Sequence, residues 1–541
     1  MSDRVKKANY IGQSGIRGTV SWVILALYIV KIIYMSYQTG MSAMTYYAYA
    51  EVVFVTGFVL FGISVVPVLK KMVFFQINHG NYKNTAKVYR VIEGMLLMIS
   101  LILAVVLFFF SKGISLFLFK TKLCSLIFKI IAIALLCWIL MSGLKGYMEG
   151  IGNAMPGIFA DLTAHVLGLA VTIISQPFFS QRGREVAALM RQDAYAYAYA
   201  ACSGALGLAI GGLAGLLFLL AVRTVFGKEI RRRVRSDEAR KTDSAQDILW
   251  NFFGNYLKSV FTENVGVLLG IILFILYAHL KGNAADGAGM LYVGMVVLAL
   301  PVALLSSQMA SPFARQISAI MKQGDFHHAK ERMSFYLKML SYTVLPICAF
   351  AVALAPLMSK VFFDVEQEKL FAIIRIGMTG AALIAYGVFF RKISVVVIRP
   401  FLRHMSIAML GVSGIIFLYV LKLAGMTGET GSAYAYVLAC LLYVLLIAFL
   451  ALKKIKIYKH LLECLVIPFV ASLLSGAIVF GLYILMDGMM ADILLLFVCG
   501  AILYIVYHAV ICFLRIFEAH EWKEVPGSDL PVFIAKLMGK Y

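Results

Sequence analysis

Fourteen predominantly apolar stretches follow one another along this chain, most of them about the length a helix needs to cross a bilayer, ~20 residues. They run over 16–36, 44–72, 88–110, 124–147, 156–179, 195–222, 249–280, 287–312, 336–362, 369–390, 401–424, 431–452, 461–486 and 492–514. The pattern predicts an all-α integral membrane protein of about 14 transmembrane helices. Composition agrees: 62% of residues are hydrophobic and 14% are charged, where soluble domains are about a quarter charged. A soluble enzyme, a nucleic-acid binder and a disordered scaffold are excluded.

The formal charge of +22 has a topological source. With the N-terminus inside and loops alternating, 35 of the 49 Lys and Arg fall on one side, 11 on the other, and Lys31, Lys258 and Arg375 within spans. Cytoplasmic loops carry such an excess, so both termini are expected in the cytoplasm of a plasma-membrane protein. An odd number of spans would invert the later loops and spoil the agreement. The start of the chain is basic, but its long apolar stretch has no small-residue cleavage site after it and reads as the first span. The connections are short. The longest, Arg223 to Ala245, holds Lys228, Arg231, Arg232, Arg233, Arg235, Arg240 and Lys241 and reads as a solvated linker. The expected organisation is an N-terminal six-helix lobe over 1–222, a basic linker over 223–248, a second six-helix lobe over 249–452, and two extra helices with a tail over 453–541.

The eight cysteines lie in or beside apolar runs without Cys-x-x-Cys spacing and read as small hydrophobes. There is no Walker-type phosphate loop and no His-Glu-x-x-His, so neither an ATP-driven pump nor a zinc protease finds support, and no metal or other cofactor is expected.

An internal echo supports two lobes. Gly80-Asn81-Tyr82 with Ala86-Lys87 follows the second span, and Gly324-Asp325-Phe326 with Ala329-Lys330 follows the eighth. Parallel repeats related by an axis along the membrane normal are common in transporters. Chance similarity between two amphipathic turns is the plain alternative.

These turns, the fourteen spans, and the segment Gly146-Tyr147-Met148-Glu149-Gly150-Ile151-Gly152-Asn153-Ala154-Met155-Pro156 together resemble the polysaccharide exporters of the multidrug/oligosaccharidyl-lipid/polysaccharide exporter superfamily. The likeness is to the branch containing stage V sporulation protein B and the lipid II flippases. It implies two six-helix lobes related by a pseudo-twofold, a central cavity, two extra C-terminal helices, alternating access, and a lipid-linked saccharide carried on undecaprenyl diphosphate. Lys31 aligns with the branch's span-one cation. A second basic residue expected soon after is missing from Ile33-Tyr34-Met35-Ser36. Span eight has no Arg in Leu291-Tyr292-Val293-Gly294-Met295. In span five a Glu-Gln and a later Arg are replaced by Ala164-His165 and Gly168.

A charge in a span costs roughly 2.5–3.5 kcal/mol on insertion scales and needs a reason. Lys31 and Glu51 lie at similar depths, ~8 Å or so from the outer ends of spans one and two at 1.5 Å per residue. They are expected as an ion pair between neighbouring helices, or with Lys31 snorkelling outward, or as a cavity cation for a substrate phosphate with a tuning carboxylate. On span seven, Asn251, Asn255, Lys258 and Thr262 are spaced 4, 3 and 4, one helical face. That stripe either hydrogen-bonds another helix or lines a wet cavity, with Lys258 as a second cation and Glu263 as a gating or cation-coupling carboxylate. Asp161 and His165 on span five form a weaker, proton-sensitive candidate, with solvated interface residues the plainer reading. Arg375 reads as a snorkelling anchor. Tyr46, Tyr47 and Tyr49 match an interfacial aromatic belt, with saccharide stacking as the alternative.

The sequence is compatible with three functions: a flippase for a lipid-linked oligosaccharide or peptidoglycan precursor, working for cell-surface polysaccharide biosynthesis; an ion-coupled multidrug exporter; and a polytopic glycosyltransferase. The first outer loop, Tyr37 to Ala43, has neither the length nor the acid expected of the enzyme, so a transporter without catalytic residues is favoured. Expected partners are the lipid-linked saccharide, membrane lipid and a coupling cation, and not nucleic acid.

Overall fold

The structure, a computed structural model, describes residues 3–237, 242–281, 287–426, 428–455, 462–522, 524–525 and 532. The described residues form helices and no strand, and twelve helical segments are long and apolar enough to cross a membrane. The first of these, Gly15–Asn78, has 64 residues; straight, it would run about 96 Å at 1.5 Å per residue, some three bilayer cores. It does not run straight. Within α1 (Asp3–Phe58) Gly40 has φ 75° and ψ 176°, a conformation open to glycine because it lacks Cβ. Tyr28 then reaches Glu51, and Lys31 reaches Tyr47, by direct side-chain hydrogen bonds. Side chains 16 and 23 positions apart touch only if the helix folds back between them, so α1 supplies two antiparallel spans. With α9 (Ala245–Ser259) and α10 (Val265–Lys281), whose apolar part is shorter, all fourteen apolar stretches have helical counterparts.

The chain divides into two compact units, Met1–Gly289 and Met290–Tyr541. In the first, a π segment (Val59–Ile63) leads from α1 to α2 (Val65–Asn78), followed by α3 (Tyr82–Phe109), the short α4 (Ser111–Phe119), α5 (Ser125–Gly150), α6 (Met155–Met190), α7 (Ala194–Ala200) and α8 (Cys202–Ser236). α5 forms the core and is buried along most of its length. α6 and α8 pack backbone to backbone, since a Cβ added to Gly168 would lie 2.9 Å from the Gly207 carbonyl oxygen, and α5 is tied to α8 by Trp138 Nε1, which donates to the Leu208 carbonyl at 2.9 Å. Small residues permit such an approach in a membrane, where dispersion and not water expulsion holds helices together. Gly168 is where the family resemblance leads one to expect Arg, and no side chain fits there in this packing.

The linker begins as a continuation of α8, helical to Ser236, and its far end returns to the Gly80 turn. Lys83 N–H donates to Asp237 Oδ2 at 2.7 Å, Asn84 Nδ2 to Asp243 Oδ2 at 2.6 Å, and Asp243 N–H back to Asn84 Oδ1 at 3.1 Å. α9 packs against α2 and α3. Residues 245–281, although they open the second set of six spans in sequence, therefore belong to the first unit in packing.

The short α11 (Gly287–Leu291) crosses the boundary between the units. The second unit has a π segment (Tyr292–Val297), α12 (Leu300–Lys322), α13 (Phe326–Ala353), α14 (Ala355–Phe363), α15 (Glu368–Val397), α16 (Pro400–Leu423), α17 (Glu429–Ile455), α18 (Ile467–Met486), α19 (Asp492–Phe513) and α20 (Ala519–Trp522). α13 is its buried centre. The chain after α19 folds onto it: Phe517 and Trp522 pack against the Tyr342 ring, Arg332 pairs with Glu524 at 2.5 Å, and Lys338 with Glu521 at 3.4 Å. At the other end, Lys360 joins Glu366 and Asp492 at 3.3 and 3.2 Å.

The echoed turns share a backbone. Gly80 has φ 73° and Gly324 has φ 80°. Asn81 (φ −82°, ψ 68°) and Asp325 (φ −86°, ψ 82°) then open the next helix with similar backbone angles, although only Asp325 caps it with its side chain, accepting from His328 N–H. A second pair lies at the same offset of 244 residues. Lys120 and Asp364, both left-handed, end α4 and α14, and Ser115 and Ser359 donate to the carbonyls of Thr121 and Val365. Two independent turns in one register make chance a poor account of the repeat.

Tyr46, Tyr47 and Tyr49 are buried, which corrects their placement in an interfacial belt. Tyr49 stacks on Phe119 with ring centroids 4.2 Å apart, and Tyr47 faces Lys31. The fold-back at Gly40 turns this face of span two inward.

Candidate functional site

The first polar cluster is a product of that fold-back. Lys31 Nζ donates to the Tyr47 hydroxyl at 2.6 Å and lies 5.0 and 5.1 Å from the ring centroids of Tyr28 and Tyr47. Tyr28 donates to Glu51 Oε1 at 2.5 Å. Lys31 is 5% and Glu51 8% exposed, and the two charges attract each other. Two aromatic faces and a phenol oxygen thus stand in for water around the ammonium, through cation–π attraction and a charged hydrogen bond. Among the described residues Glu51 Oε2 has no hydrogen-bond partner, and a buried acceptor left open costs about 1–3 kcal/mol or more. Lys31 and Glu51, singled out from the sequence, are brought together. Tyr28 was missed, although its position one helical turn before Lys31 puts it on the same face.

The second cluster surrounds a π segment. A π turn detaches carbonyls from the regular α ladder and is frequent at functional sites. In Val59–Ile63 the Leu60 carbonyl accepts from the Tyr256 hydroxyl at 2.7 Å, and Ser64 Oγ donates to the Val59 carbonyl at 2.7 Å while accepting from Asn264 Nδ2 at 2.7 Å. Span seven therefore holds the irregular point of span two through Tyr256 and Asn264, neither of which spacing had marked. Asn251 and Lys258 are exposed and Asn255 is half-buried, its Nδ2 donating to the Asn251 carbonyl at 2.8 Å. A further π segment, Val260–Asn264, interrupts the α-helical phase after Lys258, so the last step of the 4-3-4 spacing no longer follows α geometry. The side chains of Thr262 and Glu263 lie outside the described residues.

A third set pins the end of α5. Lys145 Nζ bridges both carboxylate oxygens of Asp161 at 2.7 and 2.6 Å, and His165 Nδ1 lies 2.8 Å from the Asp161 carbonyl. Glu149 is buried and takes Arg17 at 3.4 Å and Lys70 at 2.9 Å. Asp161 is therefore held by a neighbouring cation. Glu149 belongs to the glycine-rich segment that carries the resemblance, where it ties α1, α2 and α5 together. Arg375 is exposed.

Paired antiparallel spans, an internal repeat and ionisable groups held within the spans define a multi-pass membrane protein of the all-α, two-repeat class. More particularly, its fold is that of the solved MOP superfamily transporters. The lipid II flippase MurJ, in an inward closed conformation, superposes with a TM-score of 0.64 at 13% identity, over 92% of this chain and 98% of that one. An inward-facing multidrug resistance MATE family transporter of the MOP superfamily matches with a TM-score of 0.59 at 11% identity, over 82% and 99%. The eukaryotic MATE transporter AtDTX14 matches with 0.55 at 11% identity, over 84% and 98%. No family model and no curated protein matches the sequence.

Proposed function

We propose that the protein is a transporter of the cytoplasmic membrane, both termini inside, that flips an undecaprenyl diphosphate-linked oligosaccharide or peptidoglycan precursor by alternating access. The observation that carries this reading is the buried Lys31 ammonium, hydrogen-bonded to a neutral phenol. The direct partner of the ammonium is a phenol, which stabilises it without cancelling its charge, so that charge can be shared between Glu51 and an arriving diphosphate. Lys258, Asn251, Asn255 and Thr262 complete the proposed binding set. Glu51, Glu263 and Asp161 are the proposed coupling and gating carboxylates, and a cation gradient or the membrane potential gives direction.

A second reading, an ion-coupled multidrug exporter, is favoured by the open oxygen of Glu51, a place for a proton or small cation. Depletion in the native host separates the two. The flippase reading expects undecaprenyl-linked intermediates to accumulate, and wild-type protein but not Lys31→Ala to clear them. Unchanged intermediates with increased drug susceptibility would replace it with the exporter. Neither change would remove both.

A further inference from the structure

Away from the Lys31 cluster, the first unit contains a cavity of about 550 Å³ where α3, α5 and the end of α8 converge. Three guanidinium groups line it, Arg90 from α3 and Arg223 and Arg235 from α8, together with Tyr89, Tyr147 and the apolar side of Leu220. No acidic residue is among its described lining. Arg223 is set by aromatic packing. Arg223 lies over the Tyr89 ring, its Cζ 4.7 Å from the centroid, and its Nη1 donates to the Tyr89 hydroxyl at 3.0 Å. Tyr89 packs against Tyr147 with centroids 4.2 Å apart. Behind them, one helical turn along α3, Glu93 lies in the field of Arg223, and its buried Oε2 has no hydrogen-bond partner among the described residues. Glu93 thus offsets part of the charge of Arg223, and the described lining keeps an excess of positive charge. Neither Arg90 nor Arg235 forms an ion pair among the described residues.

We propose that this cavity binds a phosphate ester, with the phosphate gripped by Arg90, Arg223 and Arg235 and the group attached to it laid against Leu220 and the tyrosine rings. Guanidinium forks match phosphate oxygens in pairs, and the volume is in the range of sites for molecules of nucleotide or headgroup size. The site shares no residue with the Lys31 cluster and does not depend on the substrate assigned to it. Its position beside the linker that α8 leads into makes it a place where an anion would hold that helix against α3.

The phosphate ester has two possible sources, the headgroup of an anionic phospholipid or a soluble phosphate compound, and the test distinguishes them. The full chain is placed in phosphatidylcholine nanodiscs and titrated with inorganic pyrophosphate, following thermal unfolding; in parallel, nanodiscs containing phosphatidylglycerol are used and lipid retained after delipidation is measured by native mass spectrometry. The proposal expects a rise in unfolding temperature with pyrophosphate, or retained phosphatidylglycerol, in the wild type. It expects apparent affinity to fall about tenfold or more in Arg90→Gln and Arg235→Gln, since each loses a charged hydrogen bond. Leu220→Phe, which fills the cavity and keeps every charge, should lower binding as well and covers the case in which an arginine variant does not fold. A pyrophosphate response identifies a soluble ligand, and retained lipid alone identifies a headgroup. No response to either probe, or binding that the folded variants leave unchanged, overturns the proposal.

Discussion

Lys31 Nζ and the Tyr47 hydroxyl meet at 2.6 Å across a fold in what the chain otherwise builds as one helix. Tyr47→Phe removes the hydroxyl that accepts from that ammonium and leaves the ring in place. It should lower unfolding temperature in detergent, since a lost hydrogen bond to a charged group is worth about 1.5–3 kcal/mol. Lys31→Ala removes the charge instead. If the ammonium receives substrate, this variant should accumulate normally in membranes and fail to complement depletion. Complementation at the wild-type level would remove Lys31 from the proposed site.

The approach of α6 and α8 at Gly168 and Gly207 gives a second expectation. Gly168→Arg should abolish folded yield, because its first carbon would already lie 2.9 Å from a carbonyl oxygen. Gly254→Ala on α9, with nothing within 4 Å of the added carbon, should be neutral or gain about 0.5–1 kcal/mol from reduced backbone freedom. Size-exclusion profiles of the two variants from detergent provide the comparison, and equal behaviour would contradict the packing described.

Glu149 serves two cations, Arg17 and Lys70, whose own side chains are largely exposed. Its removal leaves a buried gap beside charged neighbours that can turn to water, and removal of either cation leaves the carboxylate the other. Glu149→Ala should therefore lower thermal stability more than Arg17→Ala, and the double variant should add little to Glu149→Ala alone. Fully additive losses would mean that the three groups do not act as one.

Much of the fold was legible because lipid imposes a simple length rule on apolar stretches, and each stretch from 16–36 to 492–514 met a helix. The pairing of Lys31 with span two was legible only as equal depth. The angle at Gly40 decides whether two side chains at equal depth touch, and φ at a glycine is not written in its neighbours. Ser64, Tyr256 and Asn264 were invisible for a different reason. They serve a π segment, and one extra residue in a turn changes phase without any change in composition. The tyrosines of span two misled because an aromatic near a span end reads as a membrane anchor until the facing helix is known.

The closing segment of the second unit makes a further expectation. Phe517, Trp522, Glu521 and Glu524 engage α13, so truncation after Leu514 uncovers aromatic surface and two cations. Protease digestion in detergent should then cut within the second unit's fragment faster than in the full chain, while Glu524→Gln alone, at an exposed pair, should change little. Equal digestion of full and truncated chains would show that this segment adds no protection.

The turn at Gly40 also bears on how the protein is made. With so little polar chain between the first two spans, the pair is expected to enter the bilayer as one hairpin, which an insertion assay on the isolated first two spans would check against two sequential insertions. Lys31 and Glu51 would then enter the bilayer already facing each other, so each charge lowers the other's cost of entry during synthesis. A substitution that stiffens Gly40 would thus be felt first in biogenesis, as chains lost before any transport can be measured.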